Sequence, residues 1–250
     1  MCVNIKIKNL NKSINGKEII GGLNLDIKSG SIVSIFGPNG TGKTTLLNII
    51  SGIDEEFGGS IKKECPEKIN MSYIFQNYRD SLLHWRDGRE NIALPLEIAG
   101  NKSVEEIYGL VLELEYKLGL KIDLNKYPYQ CSGGQQQMLS FMRAIVTKPN
   151  LLLIDEPFSA LDYENNLFLR QCLIEYYEKY KPTIIVITHS IEEAVHLSED
   201  IVIFSKIPTH IHEVIRNEMP HPRNLDYIAS PYFNELKDKV LHSFRIAASI

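Results

Sequence analysis

Long hydrophobic runs, an excess of basic residues and paired cysteines are all missing from this sequence. Its longest apolar stretches fall well short of the roughly 20 residues that a bilayer-spanning helix needs. Any membrane role therefore has to come through a partner. Lysine and arginine number 27 against 31 acidic residues, a formal net charge of −4, which leaves no basic footprint for nucleic acid. Cys2, Cys65, Cys131 and Cys172 are scattered without a C-x-x-C, a pattern that suits reduced thiols in a cytoplasm better than disulfides or a metal. No internal repeat or low-complexity tract interrupts the chain, which argues for one unit rather than a tandem pair. Met1 to Leu10 alternates like a strand and has no apolar block of the kind a secretion signal carries. What is present is 44% apolar content over 250 residues, enough for a sizeable core in one large α/β domain or a domain with an inserted lobe.

Glycine is where the chemistry begins. Gly37-Pro38-Asn39-Gly40-Thr41-Gly42-Lys43-Thr44 fits G-x-x-x-x-G-K-[ST], with the apolar strand Ile32 to Phe36 before it and a helix from Thr45 to Ser51 after it. Glycines let the backbone curl so that its N–H groups face phosphates, and the helix start adds its dipole. Lys43 supplies a point charge near the β- and γ-phosphates, and the Thr44 hydroxyl can ligand Mg²⁺.

Leu151-Leu152-Leu153-Ile154-Asp155-Glu156-Pro157 is an apolar run ending in two acids. Such a run suits a parallel strand buried on both faces, whose carboxyl end delivers side chains to a ligand crevice. Asp155 is then placed to hold Mg²⁺, and Glu156 to orient and deprotonate an attacking water. Upstream, Ser132-Gly133-Gly134-Gln135 opens a helix in which Met138, Phe141, Met142 and Ile145 fall at i, i+3, i+4 and i+7. A helix start leaves unpaired N–H groups, so this is a second anion-facing segment; on its own, S-G-G could also be a flexible turn.

Together these segments resemble the phosphate loop, signature and Walker B regions of the ATP-binding-cassette (ABC) ATPases, and the likeness covers nearly all of residues 3 to 220. It implies an α/β fold: a P-loop NTPase cassette with a RecA-like core, an antiparallel β subdomain and an inserted helical lobe. Residues 1–76 and 145–220 would form the core with its β subdomain, residues 77–144 the lobe, and residues 221–250 a tail with a short helix. It also implies that Ser132, Gly133, Gly134 and Gln135 close over ATP held by a second copy. Gln76 would reach Mg²⁺ and the attacking water, His189 the γ-phosphate, and Asp162, in Ser159-Ala160-Leu161-Asp162, would couple the two sites. Gly37 to Thr45 would hold ATP, and Thr44, Gln76 and Asp155 the Mg²⁺.

Within the family the chain looks most like the importer ATPases of the nitrate, sulfonate and taurine group, with relatives for thiamine precursors. The resemblance rests on Ser81-Leu82-Leu83-His84-Trp85, Asn91 to Leu96 and His221-Pro222-Arg223. It implies a homodimer at the cytoplasmic face of a membrane, bound to permease subunits that an extracytoplasmic solute-binding protein feeds. A soluble non-transport cassette, as in cluster assembly, and an exporter ATPase remain the alternatives. Leu82, Leu83 and Trp85 can be a permease-docking face or simply lobe core. Three positions depart from the family pattern: Cys131 replaces the usual leucine before S-G-G, Met138 replaces an arginine, and Ile14 stands where an aromatic usually stacks on adenine.

Overall fold

The computed structural model of the chain describes residues 3–119, 122–158 and 161–249. Two strands, β1 (Asn4–Ile14) and β2 (Lys17–Ile27), pair as an antiparallel hairpin. Asn15 and Gly16 between them both have positive φ, as a two-residue turn matched to strand twist requires. β3 (Ile32–Phe36), α1 (Lys43–Ser51), β4 (Gly58–Glu64) and β5 (Met71–Ile74) follow. Four helices then come without an intervening strand: α2 (Tyr78–Ser81), α3 (Gly88–Ala99), α4 (Val104–Leu118) and α5 (Gly133–Ile145). Alternation resumes with β6 (Leu151–Asp155), α6 (Tyr163–Tyr180), β7 (Thr183–Ile187), α7 (Ile191–Leu197) and β8 (Asp200–Phe204). β9 (Ile211–Arg216), α8 (Leu225–Ile228) and α9 (Pro231–Ser249) complete the order.

The strands form two sheets. One has the order β2-β1-β4, the other β5-β6-β7-β3-β8-β9. Five strands of the larger sheet are parallel and β9 is an antiparallel edge. Its central strands are apolar at consecutive positions because both faces are covered. Leu152 and Ile154 of β6 point into a cluster with α3, α4, α5 and α6, whereas Leu151 and Leu153 point into a cluster with α1 and the antiparallel sheet. β7 divides in the same way, Ile184 and Val186 against Ile185 and Ile187. Burying each such side chain is worth about 1.5–3 kcal/mol. One slipped residue in register would exchange the two sets.

The helices between β5 and β6 share the first of these clusters with the sheet: Ile92, Leu96, Ile107, Val111, Met138, Phe141 and Ile145 meet Leu152 and Ile154. α3, α4 and α5 each begin with a reciprocal capping box, from Asp87 and Glu90, Ser103 and Glu106, and Ser132 and Gln135, which satisfies donors that a bare helix start leaves open.

The sequence reading is corrected at the C-terminal end. The expected tail with a short helix, residues 221–250, holds α8 and a 19-residue helix, α9, and before it an edge strand that was not expected, β9, closes the sheet. Phe233, Leu236 and Val240 of α9 pack with Ala194 and Val195 of α7 and Ile201 and Ile203 of β8. That segment is therefore part of the core. Among the described residues no helix is long and apolar enough to cross a membrane.

Candidate nucleotide site

The parallel strands of the larger sheet end on one side, and the phosphate loop, Gln76, Asp155, Glu156 and His189 sit at or just beyond those ends. β3 runs into the phosphate loop, whose last glycine, Gly42, is the N-cap of α1 at φ 82. A Cβ there would lie 2.7 Å from Cγ2 of Ile19, so both the left-handed backbone and the close approach call for glycine. No side chain caps α1, and its first N–H groups are left for a ligand. Lys43 is buried and folds back over the loop, donating from Nζ to the carbonyls of Gly37 at 2.9 Å and Pro38 at 2.8 Å. Burial lowers its pKa, while Glu156 and Asp155 oppose the shift. Thr41 donates from its hydroxyl to Pro38 O at 2.9 Å and stiffens the same turn.

β6 delivers the acids. Asp155 is buried; its Oδ2 accepts from the Thr44 hydroxyl at 2.7 Å, and its Oδ1 has no partner among the described residues. Burial raises its pKa, with the Thr44 hydrogen bond acting the other way. A hydroxyl and an unpartnered carboxylate oxygen side by side fit a hard divalent cation that arrives with phosphates and keeps part of its water shell. Among the described residues no group of three His, Cys, Asp or Glu could hold a metal without such help.

Glu156 follows at φ 48, an uncommon conformation for a non-glycine residue and one that recurs at functional sites. Its Oε2 accepts from Gln76 Nε2 at 3.0 Å and lies 3.3 Å from His189 Nδ1. Gln76 comes just after β5, which ends at Ile74, and His189 just after β7. Three strand ends thus bring an amide, a carboxylate and an imidazole together.

One cavity of about 530 Å³ is lined by Asn39, Gly40, Gly42, Lys43, Thr44, Thr45, Gln76, Glu156 and His189, with Ile14 and Ile19 as its apolar wall; Asp155 stands behind Thr44 and is not on the lining. Among the described residues the apolar wall is aliphatic, with no Phe, Tyr or Trp lining the cavity. Ile19 was not anticipated from the sequence; its place three residues after Gly16 of the hairpin turn was the signal for it. Pro38, though in the phosphate loop, contributes its carbonyl to Lys43 and is not on the cavity lining.

Ser132, Gly134 and Gln135 lie elsewhere, on a second cavity of about 430 Å³ with Met138, Leu161 and Phe168. Ser132 Oγ accepts from Gln135 N at 3.3 Å, and Gln135 Oε1 accepts from Ser132 N at 2.9 Å, so this helix start is partly closed by its own side chains. Gly133 is near Tyr78 and Arg79, whose side chains would lie 3.3 and 3.2 Å from an added Cβ. Asp162 caps α6, accepting from Asn165 N at 2.9 Å, and is exposed; that bond holds its carboxyl below the usual range. Ser159 and Ala160 lie outside the described residues. The lobe cluster is split by the fold: Leu82 is 2% exposed and belongs to the core, whereas Trp85 is 74% exposed.

The ABC transporter family matches residues 20–159. The aliphatic sulfonates import ATP-binding protein SsuB of Bacillus cereus is 36% identical over 253 residues, covering 99% of this chain and 97% of that protein. The tungstate uptake system ATP-binding protein TupC of Peptoclostridium acidaminophilum is 40% identical over 202 residues, covering 79% of this chain and 92% of that protein. Among solved structures, the dimeric post-hydrolysis state of the ATP-binding cassette MJ0796 bound to ADP and Pi is similar with a TM-score of 0.75 and 30% identity, covering 86% of this chain and 100% of that one.

Proposed function

This chain belongs to the ABC transporter family, and from that premise we propose that it is the ATP-hydrolysing subunit of an importer. It works as a homodimer on membrane permeases at the cytoplasmic face, and an extracytoplasmic solute-binding protein feeds those permeases. The solute is a small oxyanion of the sulfonate type, a reading supported by relatives named for aliphatic sulfonates and for tungstate. One observation carries the enzymatic part: Gln76, Glu156 and His189 meet at the cavity that also holds Lys43 and Thr44.

The geometry supports a task for each residue. Backbone N–H groups from Gly40 to Thr45 and the Lys43 ammonium bind the ATP phosphates, with Asn39 beside them on the cavity wall. Thr44, Asp155 and Gln76 would hold Mg²⁺, which would supply charge neutralisation to the phosphates. Glu156 orients the attacking water and accepts its proton; Gln76 and His189, both at Glu156 Oε2, hold that carboxylate and the γ-phosphate in line. Ile14 and Ile19 cover the base by apolar contact, without the roughly 1–3 kcal/mol that stacking on an aromatic supplies. Ser132 to Gln135 serve the partner copy's nucleotide, a reading supported by Ser132, Gly134 and Gln135 lying on a different cavity from the chain's own phosphate loop.

Trp85 supports the permease partner. A large aromatic left 74% exposed on the lobe is the kind of residue that anchors an interface, and truncating such anchors costs about 2 kcal/mol or more. The test is reconstitution: the chain is co-purified with its permeases from membranes, placed in vesicles and assayed for ATP-dependent uptake of an aliphatic sulfonate. We expect uptake with the native chain. With Trp85→Ala we expect unchanged ATP binding by the isolated subunit and a large loss of permease recovery. A native chain that hydrolyses ATP yet recovers no permease and drives no uptake would overturn the importer reading.

A further inference from the structure

The wall of the nucleotide cavity and its phosphate end belong to different sheets. Ile14 and Ile19 come from the β1–β2 hairpin, whereas Asn39 to Thr45 come from the loop after β3. Nothing in covalent sequence fixes the distance between them. One residue bonds to both. Thr209, between β8 and β9, is fully buried. Its hydroxyl donates to the carbonyl of Thr41 in the phosphate loop at 2.8 Å. Its N–H donates to Ile19 O at 2.8 Å, and its carbonyl accepts from Gly21 N at 3.1 Å. These last two bonds seat it beside β2 as a parallel bridge opposite Ile20.

We infer that Thr209 is a positioning residue that sets the aliphatic wall at a fixed distance from the phosphate loop, and thereby makes the cavity complementary to a ligand with both an apolar base and a phosphate chain. The inference rests on the nucleotide reading of the cavity. Its backbone grips one side and its side chain the other, so the hydroxyl alone closes the strap. The Thr41 carbonyl it serves belongs to a residue 3% exposed. Without the hydroxyl that acceptor loses its partner, and a buried acceptor without a partner costs more than the bond itself gains. The near-contact of Ile19 with Gly42 shows how little slack the wall and the loop have, so the freed carbonyl is relieved by a shift of the loop against the wall.

A shift of that kind is felt by ligands that touch both sides and not by those that touch one. The experiment compares binding of ATP and of inorganic tripolyphosphate, each with Mg²⁺, to the full chain and to Thr209→Val and Thr209→Ser, alongside their melting temperatures. Thr209→Val keeps the shape and both backbone bonds. We expect it to weaken ATP about two- to tenfold, the span that one buried hydrogen bond covers, while tripolyphosphate changes less than about twofold. Thr209→Ser should restore ATP binding. Should Thr209→Val not fold, Thr209→Ala is read in the same way. Equal weakening of both ligands, unchanged ATP binding, or failure of serine to restore it would each overturn the assignment while leaving the nucleotide reading intact. A native chain that binds neither ligand would overturn the nucleotide reading itself.

Discussion

Two helices in this molecule start on glycine-rich segments, and they are finished in opposite ways. α1 opens at Gly42 with no side-chain cap, with Lys43 folded across the loop before it and a cavity in front. α5 opens at Ser132 with a capping box that occupies the N–H groups of Ser132 and Gln135. Among the described residues its cavity is lined by no charged side chain; Leu161, Phe168 and Met138 are on its wall. Both ends carry a helix dipole, but at the first Lys43 lines the cavity and the carboxylates Asp155 and Glu156 stand close by, whereas at the second the hydroxyl of Ser132 is used in the cap and Arg79 stands beside Gly133. A glycine-rich helix start serves its own chain's ligand when its surroundings leave it open and supply charge. On the function proposed above, the second start meets the phosphate of the partner copy's nucleotide.

The largest effect to be expected lies at the complete end. Glu156→Gln retains the hydrogen-bonding shape but not the base, so ATP binding should persist while turnover falls by roughly 10² to 10⁴, the usual contribution of a positioned base. Phosphate release at saturating ATP measures it. Retention of more than half the native rate would remove Glu156 from that role and with it much of the contrast between the two ends.

The incomplete end is tested next, by supplying what it lacks. With hydrolysis blocked by Glu156→Gln, ATP should hold two copies together, seen by light scattering as a dimer. Adding Ser132→Arg places a bulky cation where the partner's phosphate would arrive and should return the protein to monomer, a change of more than about tenfold in dimer affinity. Dimer formation unaffected by Ser132→Arg would mean that α5 does not face the partner's nucleotide.

Much of this contrast was legible in the sequence, and the rest was hidden for physical reasons. β3, β6, β7 and β8 announce themselves because parallel strands covered on both faces are apolar throughout. The cap at Ser132 is written as S-x-x-Q, a local code. β9 was missed because it is an edge strand in which only Ile215 is buried, so its residues carry little apolar pattern. The length of α9 was readable in the spacing of Phe233, Leu236, Val240 and Ala247, all buried, but proline at 231 and the proline pair upstream read as a tail. Leu82 and Trp85 looked like one apolar cluster, and only packing parts them, since a three-residue separation after a short helix does not say which faces inward. The bond from Thr209 to Thr41 spans 168 positions, and no local pattern foretells it.

The smallest effect separates the cap from the site at the same residue. Ser132→Ala removes the oxygen that accepts from Gln135 N but leaves Gln135 Oε1 free to accept from the backbone N–H at 132. An N-cap lost to alanine costs about 0.5–2 kcal/mol. Because the Ser132 bond is long at 3.3 Å, the low end of that range applies, and for a chain of this size each kcal/mol lowers the melting temperature by about 2–4 °C. We therefore expect a fall of about 1–4 °C in Tm with ATP affinity of the isolated monomer unchanged, because Ser132 is not on the lining of the chain's own nucleotide cavity. Loss of ATP affinity in that monomer would mean that the two helix starts communicate within one chain, and the division between a complete and an incomplete end would not stand.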